Sequence, residues 1–127
     1  MTRHVQEIMS APVLTVDVSD SLWDAWQLLS VSGLRHLIVI DREGDCLGVI
    51  SDRNVLAEPP LSEQHLSSKA VGSIMKAEFT HRLKPEDSAK HAASAMVDHE
   101  VEALPICSED GKVLGIVTET DVIRSLL

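Results

Sequence analysis

An internal repeat constrains this chain more than any other feature of its sequence. Residues 5–9 (VQEIM) recur at 71–75 (VGSIM), and residues 47–51 (LGVIS) recur at 114–118 (LGIVT), at offsets of 66 and 67 residues. An apolar stripe with the i, i+3, i+4, i+7 spacing of a buried helix face is also duplicated. Its members are Leu22, Ala25, Trp26 and Leu29 in the first copy, and Ala89, Ala92, Ala93 and Met96 in the second. Because block order and spacing are both duplicated, the pattern indicates a structural repeat.

Each copy predicts the element order strand, helix, strand, strand, helix. Short apolar runs separated by Glu43-Gly44 in the first copy and by Asp110-Gly111 in the second are typical of β-hairpins. The predicted elements are strands at 13–17, 37–40 and 46–50 with helices at 21–32 and 52–57, and in the second copy a hairpin of 104–107 with 113–117 and a last helix at 119–126. Pro59 and Pro60 stop a helix and begin a polar connection. We therefore expect a first repeat at 1–57, a linker at 58–70 and a second repeat at 71–127.

The size of one copy predicts how the two pack. About 60 residues bury too little surface to be safely stable alone. The expected fold is therefore α/β (α+β), with two β-α-β-β-α repeats packed sheet to sheet in pseudo-two-fold symmetry. Two related halves that meet in this way leave clefts between them, and ligand pockets favour such interfaces.

Composition narrows the partners and the compartment. The chain carries 20 acidic and 11 basic residues, a net charge of −9, which disfavours binding to nucleic acid. Its longest apolar runs, such as residues 37–40, are far shorter than the ~20 residues that span a bilayer. The first residues show no apolar stretch or cleavage site of a secretory signal, so we expect a cytoplasmic protein without membrane contact. Cys46 and Cys107 can pair, but are expected to be buried, reduced thiols in that compartment.

The duplicated blocks resemble a pair of CBS domains, the modules named after cystathionine β-synthase, over nearly the whole chain. The residues that carry the resemblance are 8–9, 35–39 and 48–55 in the first copy, and 74–75, 103–106 and 115–122 in the second. The resemblance implies a regulatory module that is not an enzyme and needs no cofactor. It also implies an adenine-containing ligand in a cleft between the copies, such as AMP, ADP, ATP, S-adenosylmethionine or a dinucleotide. A disc-like homodimer is the quaternary structure expected from the family.

The resemblance also assigns roles to individual residues. Those implied are Ser51, Asn54, Thr118 and Asp121 at the ribose and phosphate, and Thr15, Thr80 and Ala103 at the base. A helix start after a strand presents unpaired N–H groups to a phosphate, and a carboxylate one turn later can accept two ribose hydroxyls. The alternative stays open, because Thr118 to Asp121 is equally a capping sequence that stabilises a helix without any ligand. Asn54 departs from the family pattern, since an amide lacks the charge that strengthens such hydrogen bonds.

Cations are distributed unevenly between the copies. Arg35 and His36 precede the first hairpin strand, whereas Glu102 and Ala103 hold the equivalent positions in the second copy. We therefore expect good phosphate ligands in the cleft of Ser51 and Asn54, where the cations are Arg35, His36 and Arg53. We expect Glu102 to repel phosphate in the cleft of Thr118 and Asp121. Arg124 is expected to pair with acidic neighbours.

Other chemistries find little support. His91 and His99 are eight residues apart, and neither they nor His81 have a cysteine or carboxylate at a recognised metal spacing, so no metal site is expected. The chain has neither a nucleophile-elbow motif nor a glycine-rich phosphate loop, so no catalytic residue is assigned.

Two hypotheses from different classes follow. The first is a homodimeric, adenine-nucleotide-responsive module that regulates a separate effector protein. The second is a scaffold that has lost its ligand and only dimerises or binds a partner. Helix faces around Trp23, Trp26 and Met96 are the expected dimer interface, with Trp23 lying off the buried stripe and exposed.

Overall fold

The two copies fold into two α+β units that share one interface in this computed structural model, which describes residues 3–75 and 81–127. The first unit consists of α1 (Val5–Ile8), β1 (Thr15–Asp17), α2 (Leu22–Ser32), β2 (His36–Ile40), β3 (Cys46–Ser51) and α3 (Asp52–Leu56). A short helix, α4 (Glu63–Ser67), and a 3₁₀ turn (Val71–Ser73) follow. The second unit consists of α5 (Ala89–His99), β4 (Ala103–Cys107), β5 (Val113–Thr118) and α6 (Glu119–Arg124).

The sheets reproduce the predicted hairpins and differ at the first strand. In the first unit β1 pairs parallel to β2, and β2 pairs antiparallel to β3. In the second unit β4 and β5 form the antiparallel hairpin. The counterpart of β1 is reduced, among the described residues, to one parallel bridge between Leu83 and Ile106. That bridge lies 67 residues after the Val16–Val39 pair of the first sheet, so the duplication holds at the level of strand register.

Capping residues define the two long helices at the predicted places. The Oγ of Ser21 accepts a hydrogen bond from the N–H of Asp24 at the start of α2, and Ser88 accepts one from His91 at the start of α5. Helix α2 ends at Gly33, whose φ of 73° is the left-handed conformation that glycine adopts without strain. The stripes face inward, with Leu22, Ala25 and Leu29 buried on α2, and Ala89, Ala92 and Met96 buried on α5. Trp26 and Ala93, which were also predicted in the stripes, are only partly buried, and Ala95 is buried in addition.

The N-terminal segments of the two repeats are exchanged. Val5 is fully buried in the core of the second unit, where Ile8 and Met9 also pack. Val71 is fully buried in the core of the first unit, together with Ile74 and Met75. Backbone hydrogen bonds fix both crossings, from Val5 N to Asp87 O at 2.8 Å and from Val71 N to Asp20 O at 2.7 Å. Each core is therefore completed by residues that belong to the other repeat.

A third apolar cluster joins the two sheets face to face, as predicted. It is formed by buried residues of both units: Ile38, Cys46, Val49, Ala103, Cys107 and Ile116. This sheet-to-sheet layer removes apolar surface of both units from water, so each hairpin stabilises the other.

Two local expectations differ from the structure. The connection predicted as polar linker contains α4, whose Leu66 is 2% exposed and completes the first core against α2. Trp23 was predicted to be exposed. It is half-buried instead, because its large ring packs against apolar atoms of that same core. Within the described ranges, no helix has the length and apolar character required to cross a membrane.

Candidate functional site

A cavity of about 700 Å³ lies between the two repeats at the ends of their hairpins. Its wall combines residues of both copies: Ser10, Pro12, Val13, Leu14, Gly33, Leu34, Arg35, His36, Ile38, Arg53, Glu102, Ile116, Thr118, Glu119, Thr120 and Arg124. The volume falls within the range of ~300–1,000 Å³ that small-molecule sites occupy.

One side of this cavity is apolar, and the chain crossing builds it. Ser10 exchanges two backbone hydrogen bonds with Ile116 of β5, at 2.9 and 3.1 Å, which carries the segment before β1 onto the second repeat. The carbonyl of Leu14 accepts a hydrogen bond from Ile38 N at 3.2 Å, which returns the segment to the first sheet. Val13 and Leu14 therefore bridge the repeats and, with Ile38 and Ile116, offer a surface for a flat apolar group.

The lining of this cavity also carries hydroxyl groups and cations. Thr118 and Thr120 belong to the start of α6, and Arg124 belongs to its last turn. Arg124 forms no ion pair among the described residues, contrary to the expectation that acidic neighbours would neutralise it. Arg35 is half-exposed and its Nε lies 3.4 Å from Asp52 Oδ2. The Nη1 of Arg53 lies 2.6 Å from Glu102 Oε1.

The predicted ribose and phosphate residues form two equivalent helix caps. At α6, Asp121 Oδ2 accepts hydrogen bonds from the backbone N–H of Thr118 at 2.9 Å and from its hydroxyl at 3.1 Å. At α3, Asn54 Oδ1 accepts one from Ser51 N at 2.8 Å, and Ser51 Oγ accepts one from Asn54 N at 3.3 Å. Both arrangements are capping boxes, so the capping role of these residues is present in the structure. Thr118 borders the cavity, whereas Asp121 does not.

A second cavity, of about 150 Å³, lies on the other side of the same interface. Ser51, Asn54 and Ala103 line this smaller cavity. The residues that border both cavities are His36, Arg53 and Glu102. The charged side chains between the two spaces are therefore shared.

The structure differs from the expected distribution of charges at Arg35, which borders the larger cavity with Thr118 and not the smaller one. His36 and Arg53 border the smaller cavity with Ser51 and Asn54, and Glu102 borders both cavities. The reason is that each cleft is built crosswise, from the hairpin edge of one repeat and the last helix of the other. Glu102 forms an ion pair with Arg53, which offsets the negative charge that was expected to repel phosphate in the cleft of Thr118.

Thr15, a predicted base-binding residue, is exposed and borders a separate surface groove along α2 rather than either cavity. Its neighbours Val13 and Leu14 face the cavity instead. Thr80 lies outside the described residues.

Sequence reasoning did not assign several residues of the larger cavity. Val13, Leu14 and Thr120 were not singled out as site residues, and Arg124 was given a different role. The sequence predicted Val13 and Leu14 inside the first strand, whereas β1 begins at Thr15 and both residues precede it. Nothing local showed that this loop meets α6 of the other copy.

His36 lies between the cavities with 16% of its side chain exposed. Its Nε2 lies 4.0 Å from Glu102 Oε2. Burial lowers the pKa of His36 below 6.5, and the negative charge of Glu102 opposes that shift only in part. The imidazole is therefore neutral at pH 7 and contributes hydrogen-bonding capacity rather than charge.

Comparison with known proteins identifies the repeat. The family model of the CBS domain matches the chain twice, over residues 5–60 and 71–127. This chain belongs to the CBS domain family. As a CBS pair, it has the fold predicted from its sequence, since it superposes on solved CBS pairs along nearly its whole length.

Two solved structures and one curated relative illustrate the likeness. The CBS pair of protein MJ0100, in complex with 5′-methylthioadenosine and S-adenosyl-L-methionine, matches with a TM-score of 0.85 and 23% identity, covering 99% of this chain and 97% of that one. CBSX2 in complex with AMP matches with a TM-score of 0.80 and 29% identity, covering 97% and 95%. A CBS domain-containing protein of Dictyostelium discoideum is 29% identical and covers 97% of this chain and 90% of its own length.

Several curated enzymes also match, but over a small part of their length. This CBS pair spans between 14% and 24% of those proteins. The similarity therefore covers a CBS portion and not the rest of each enzyme. Among residues 3–75 and 81–127, no three His, Cys, Asp or Glu side chains are grouped so as to hold a metal ion.

Proposed function

We propose that this CBS pair is a regulatory module that binds an adenine-containing nucleotide in the larger cavity and signals to a separate partner protein. The observation that carries the proposal is the composition of that cavity. Its lining combines apolar side chains at Val13 and Leu14 with the hydroxyl groups of Thr118 and Thr120 around a space of about 700 Å³. A nucleotide has the matching division into a flat base and a polar ribose phosphate.

Charge complementarity favours a phosphate-bearing ligand. Arg35, Arg53 and Arg124 border the larger cavity together with Glu102 and Glu119, so arginines outnumber carboxylates there in a protein whose net charge is −9. Concentrating cations in one cleft of an acidic protein steers an anion to that cleft. In this proposal the base lies against Val13 and Leu14, and the phosphate lies among the three arginines.

The relatives support the same ligand class. MJ0100 holds S-adenosyl-L-methionine and 5′-methylthioadenosine, and CBSX2 holds AMP. All three ligands contain adenosine, so the adenosine portion is the shared chemistry. We extend this to AMP, ADP or ATP here, and we propose binding without turnover, in a cytoplasmic homodimer.

The alternative is a ligand-free scaffold for dimerisation or partner binding. It is favoured by the ion pair of Arg53 with Glu102 and by the capping role of Asp121, since both satisfy these groups without a ligand. In this case the cavity is a by-product of two packed repeats.

Thermal unfolding of the purified protein against AMP, ADP, ATP, NAD and S-adenosylmethionine separates the two functions. A ligand that binds only the folded state raises Tm by mass action, and at 100 times Kd the stabilisation is about 2.7 kcal/mol. We expect a selective rise that weakens in Arg35→Gln and persists in Arg42→Gln. Arg42 is an exposed arginine in the turn after β2 and does not border either cavity. No rise with any ligand at millimolar concentration supports the scaffold.

A further inference from the structure

The two cysteines of the chain meet in the interface between the repeats. Cys46 is the first residue of β3 in the first repeat, and Cys107 is the last residue of β4 in the second. They are 2% and 5% exposed and belong to the apolar cluster that joins the sheets. The sequence contains no other cysteine, and both are free thiols.

Backbone contacts between the two hairpin turns hold these residues together. Cys46 N donates to the carbonyl of Gly111 at 3.0 Å, and Asp45 bridges Lys112 in an antiparallel pair. Lys112 Nζ lies 2.7 Å from both Asp45 Oδ1 and the carbonyl oxygen of Glu43. Cys107 pairs with Val113 at the base of that same hairpin. Backbone hydrogen bonds and strand pairing therefore fix the positions of both cysteines.

The two thiols differ in acidity. The pKa of Cys46 is raised far above its ordinary value by the hydrogen bond it shares with Cys107, and burial adds to this. The same hydrogen bond lowers the pKa of Cys107, Arg82 lowers it further, and burial opposes both. A hydrogen-bonded thiolate beside a cation is the form that reacts with oxidants. We assign the first oxidation to Cys107 and the resolving role to Cys46, an order that the single variants below test.

We propose that Cys46 and Cys107 form a reversible disulfide that ties the first repeat to the second under oxidation by a hydroperoxide. The Cys107 thiolate attacks one peroxide oxygen, forming an S–O bond as the O–O bond breaks, and hydroxide leaves. The sulfur is oxidised to sulfenic acid while the peroxide is reduced. The Cys46 sulfur then attacks Cys107, forming the S–S bond as the S–O bond breaks, and its proton leaves with hydroxide as water. A dithiol reduces the bond again.

Neither Cys46 nor Cys107 borders the larger cavity, where the nucleotide is proposed to bind. Strand β3 runs from Cys46 to Ser51 at the smaller cavity, so about 16 Å separate the two ends of the strand at ~3.3 Å per residue. A bond there restrains the two repeats against each other without entering the space where a ligand would bind. The proposal is independent of the proposed function. It fits a cytosolic protein, where disulfides are transient and redox-sensing rather than structural.

Intact mass and peptide mapping of the native full-length chain test the proposal. The protein is treated with hydrogen peroxide, quenched and alkylated without reduction. We expect the loss of two hydrogen atoms and no alkylation. Trypsin should release one crosslinked species that joins residues 43–53 to 91–112, which dithiothreitol separates. The oxidised protein should also melt at a higher temperature, because the bond closes a long loop of the unfolded chain.

Single variants distinguish the two thiols. Cys46→Ser should accumulate a sulfenic acid at Cys107 that a cyclic dione traps, since the resolving thiol is gone. Cys107→Ser should leave Cys46 unmodified at the same peroxide dose. Oxidation of Met1, Met9 and Met75 adds oxygen in other tryptic peptides and serves as an internal dose marker, whereas Met96 lies in the Cys107 peptide itself.

Three outcomes overturn the proposal. One is a wild-type protein in which both thiols remain alkylatable after methionines have been oxidised. Another is a disulfide that joins two chains, visible as a doubled mass. The third is Cys107 driven to sulfinic acid with Cys46 still free. Wild-type mass alone decides the first two, so the result does not depend on either variant folding.

Discussion

Arg53 of the first repeat and Glu102 of the second form an ion pair, with Nη1 2.6 Å from Oε1, on the boundary between the two cavities. Both side chains are exposed enough that the pair contributes little to stability, about 0–1 kcal/mol. Its greater effect is on the site, because a guanidinium held by a carboxylate is less available to a phosphate. Glu102 therefore competes with a ligand for Arg53.

Replacing Glu102→Gln should raise affinity for an anionic nucleotide in the larger cavity. The change frees Arg53 and removes a negative charge from the wall, and we expect a three- to tenfold lower Kd, on the scale of about one kcal/mol. Isothermal titration at low and high salt measures it, with the gain shrinking as salt rises. Glu100→Gln is the control, since Glu100 borders only the smaller cavity. Equal affinity in Glu102→Gln and the wild type would contradict competition for Arg53.

Thr118→Ala and Ser51→Ala form a matched pair that separates capping from binding. Both residues are N-caps in equivalent capping boxes, so each substitution should lower the free energy of unfolding by about 1 kcal/mol. Only Thr118 borders the larger cavity. Nucleotide affinity should fall about tenfold in Thr118→Ala and stay near the wild type in Ser51→Ala. Denaturant unfolding and titration of both variants provide the measurements, and an equal loss of affinity in both would favour a purely structural role.

Stability should fall as the solution is acidified below pH 6.5. The pKa of His36 is lowered by burial, so the unfolded chain takes up its proton at a higher pH than the folded protein does. Above pH 6.5 the residue is neutral in both states, and the loss develops as pH falls toward the folded pKa. Urea unfolding at pH 7.5 and 5.5 should show a smaller difference in His36→Gln than in the wild type. His4→Gln, at an exposed position, should leave the difference unchanged.

Part of that acid sensitivity belongs to a second residue. The pKa of His81 is also lowered, first by burial and then by the positive charges that His99 and His91 acquire. The slope that remains in His36→Gln should therefore decrease further when His81→Gln is added. An unchanged slope in the double variant would assign the effect to other groups.

Gly115→Ala should destabilise the fold although β5 would tolerate alanine elsewhere. A Cβ at this position would lie 3.0 Å from Met9 Cγ and 3.0 Å from the carbonyl oxygen of Ser10, where the exchanged segment crosses the strand. Overpacking of this kind costs about 1–3 kcal/mol, and the backbone contact cannot move aside as a side chain would. Thermal and urea unfolding measure the loss. Leu114→Ala, at the neighbouring exposed position, should lower the free energy of unfolding by less. A larger loss in Leu114→Ala than in Gly115→Ala would contradict close contact between β5 and the exchanged segment.

Local patterns in the sequence were sufficient for the elements of the fold. Hairpin turns, helix caps and the buried stripe of α2 depend on residues within one turn or one hairpin, and the structure has them where predicted. The duplication extended these predictions to the second copy. The register of the Leu83–Ile106 bridge shows how closely the copies correspond.

The composition of the site could not be predicted in the same way. Periodicity indicates which face of an element is buried, but not which copy covers it. Arg35 was therefore assigned to the caps of its own repeat, whereas the structure places it with Thr118 of the other. Thr15 was assigned to the base from the family resemblance, whereas the structure places it in a separate groove along α2.

The exchange of N-terminal segments gives the tandem chain the character of a swapped dimer joined into one polypeptide. A single repeat separated from its twin would keep an unfilled hollow where Val71 or Val5 belongs, and would carry a segment with nowhere to dock. Only a second copy supplies both the missing buried side chain and a core in which the free segment can pack. Covalent linkage of the two repeats therefore keeps each segment at a high effective concentration next to the core that it completes.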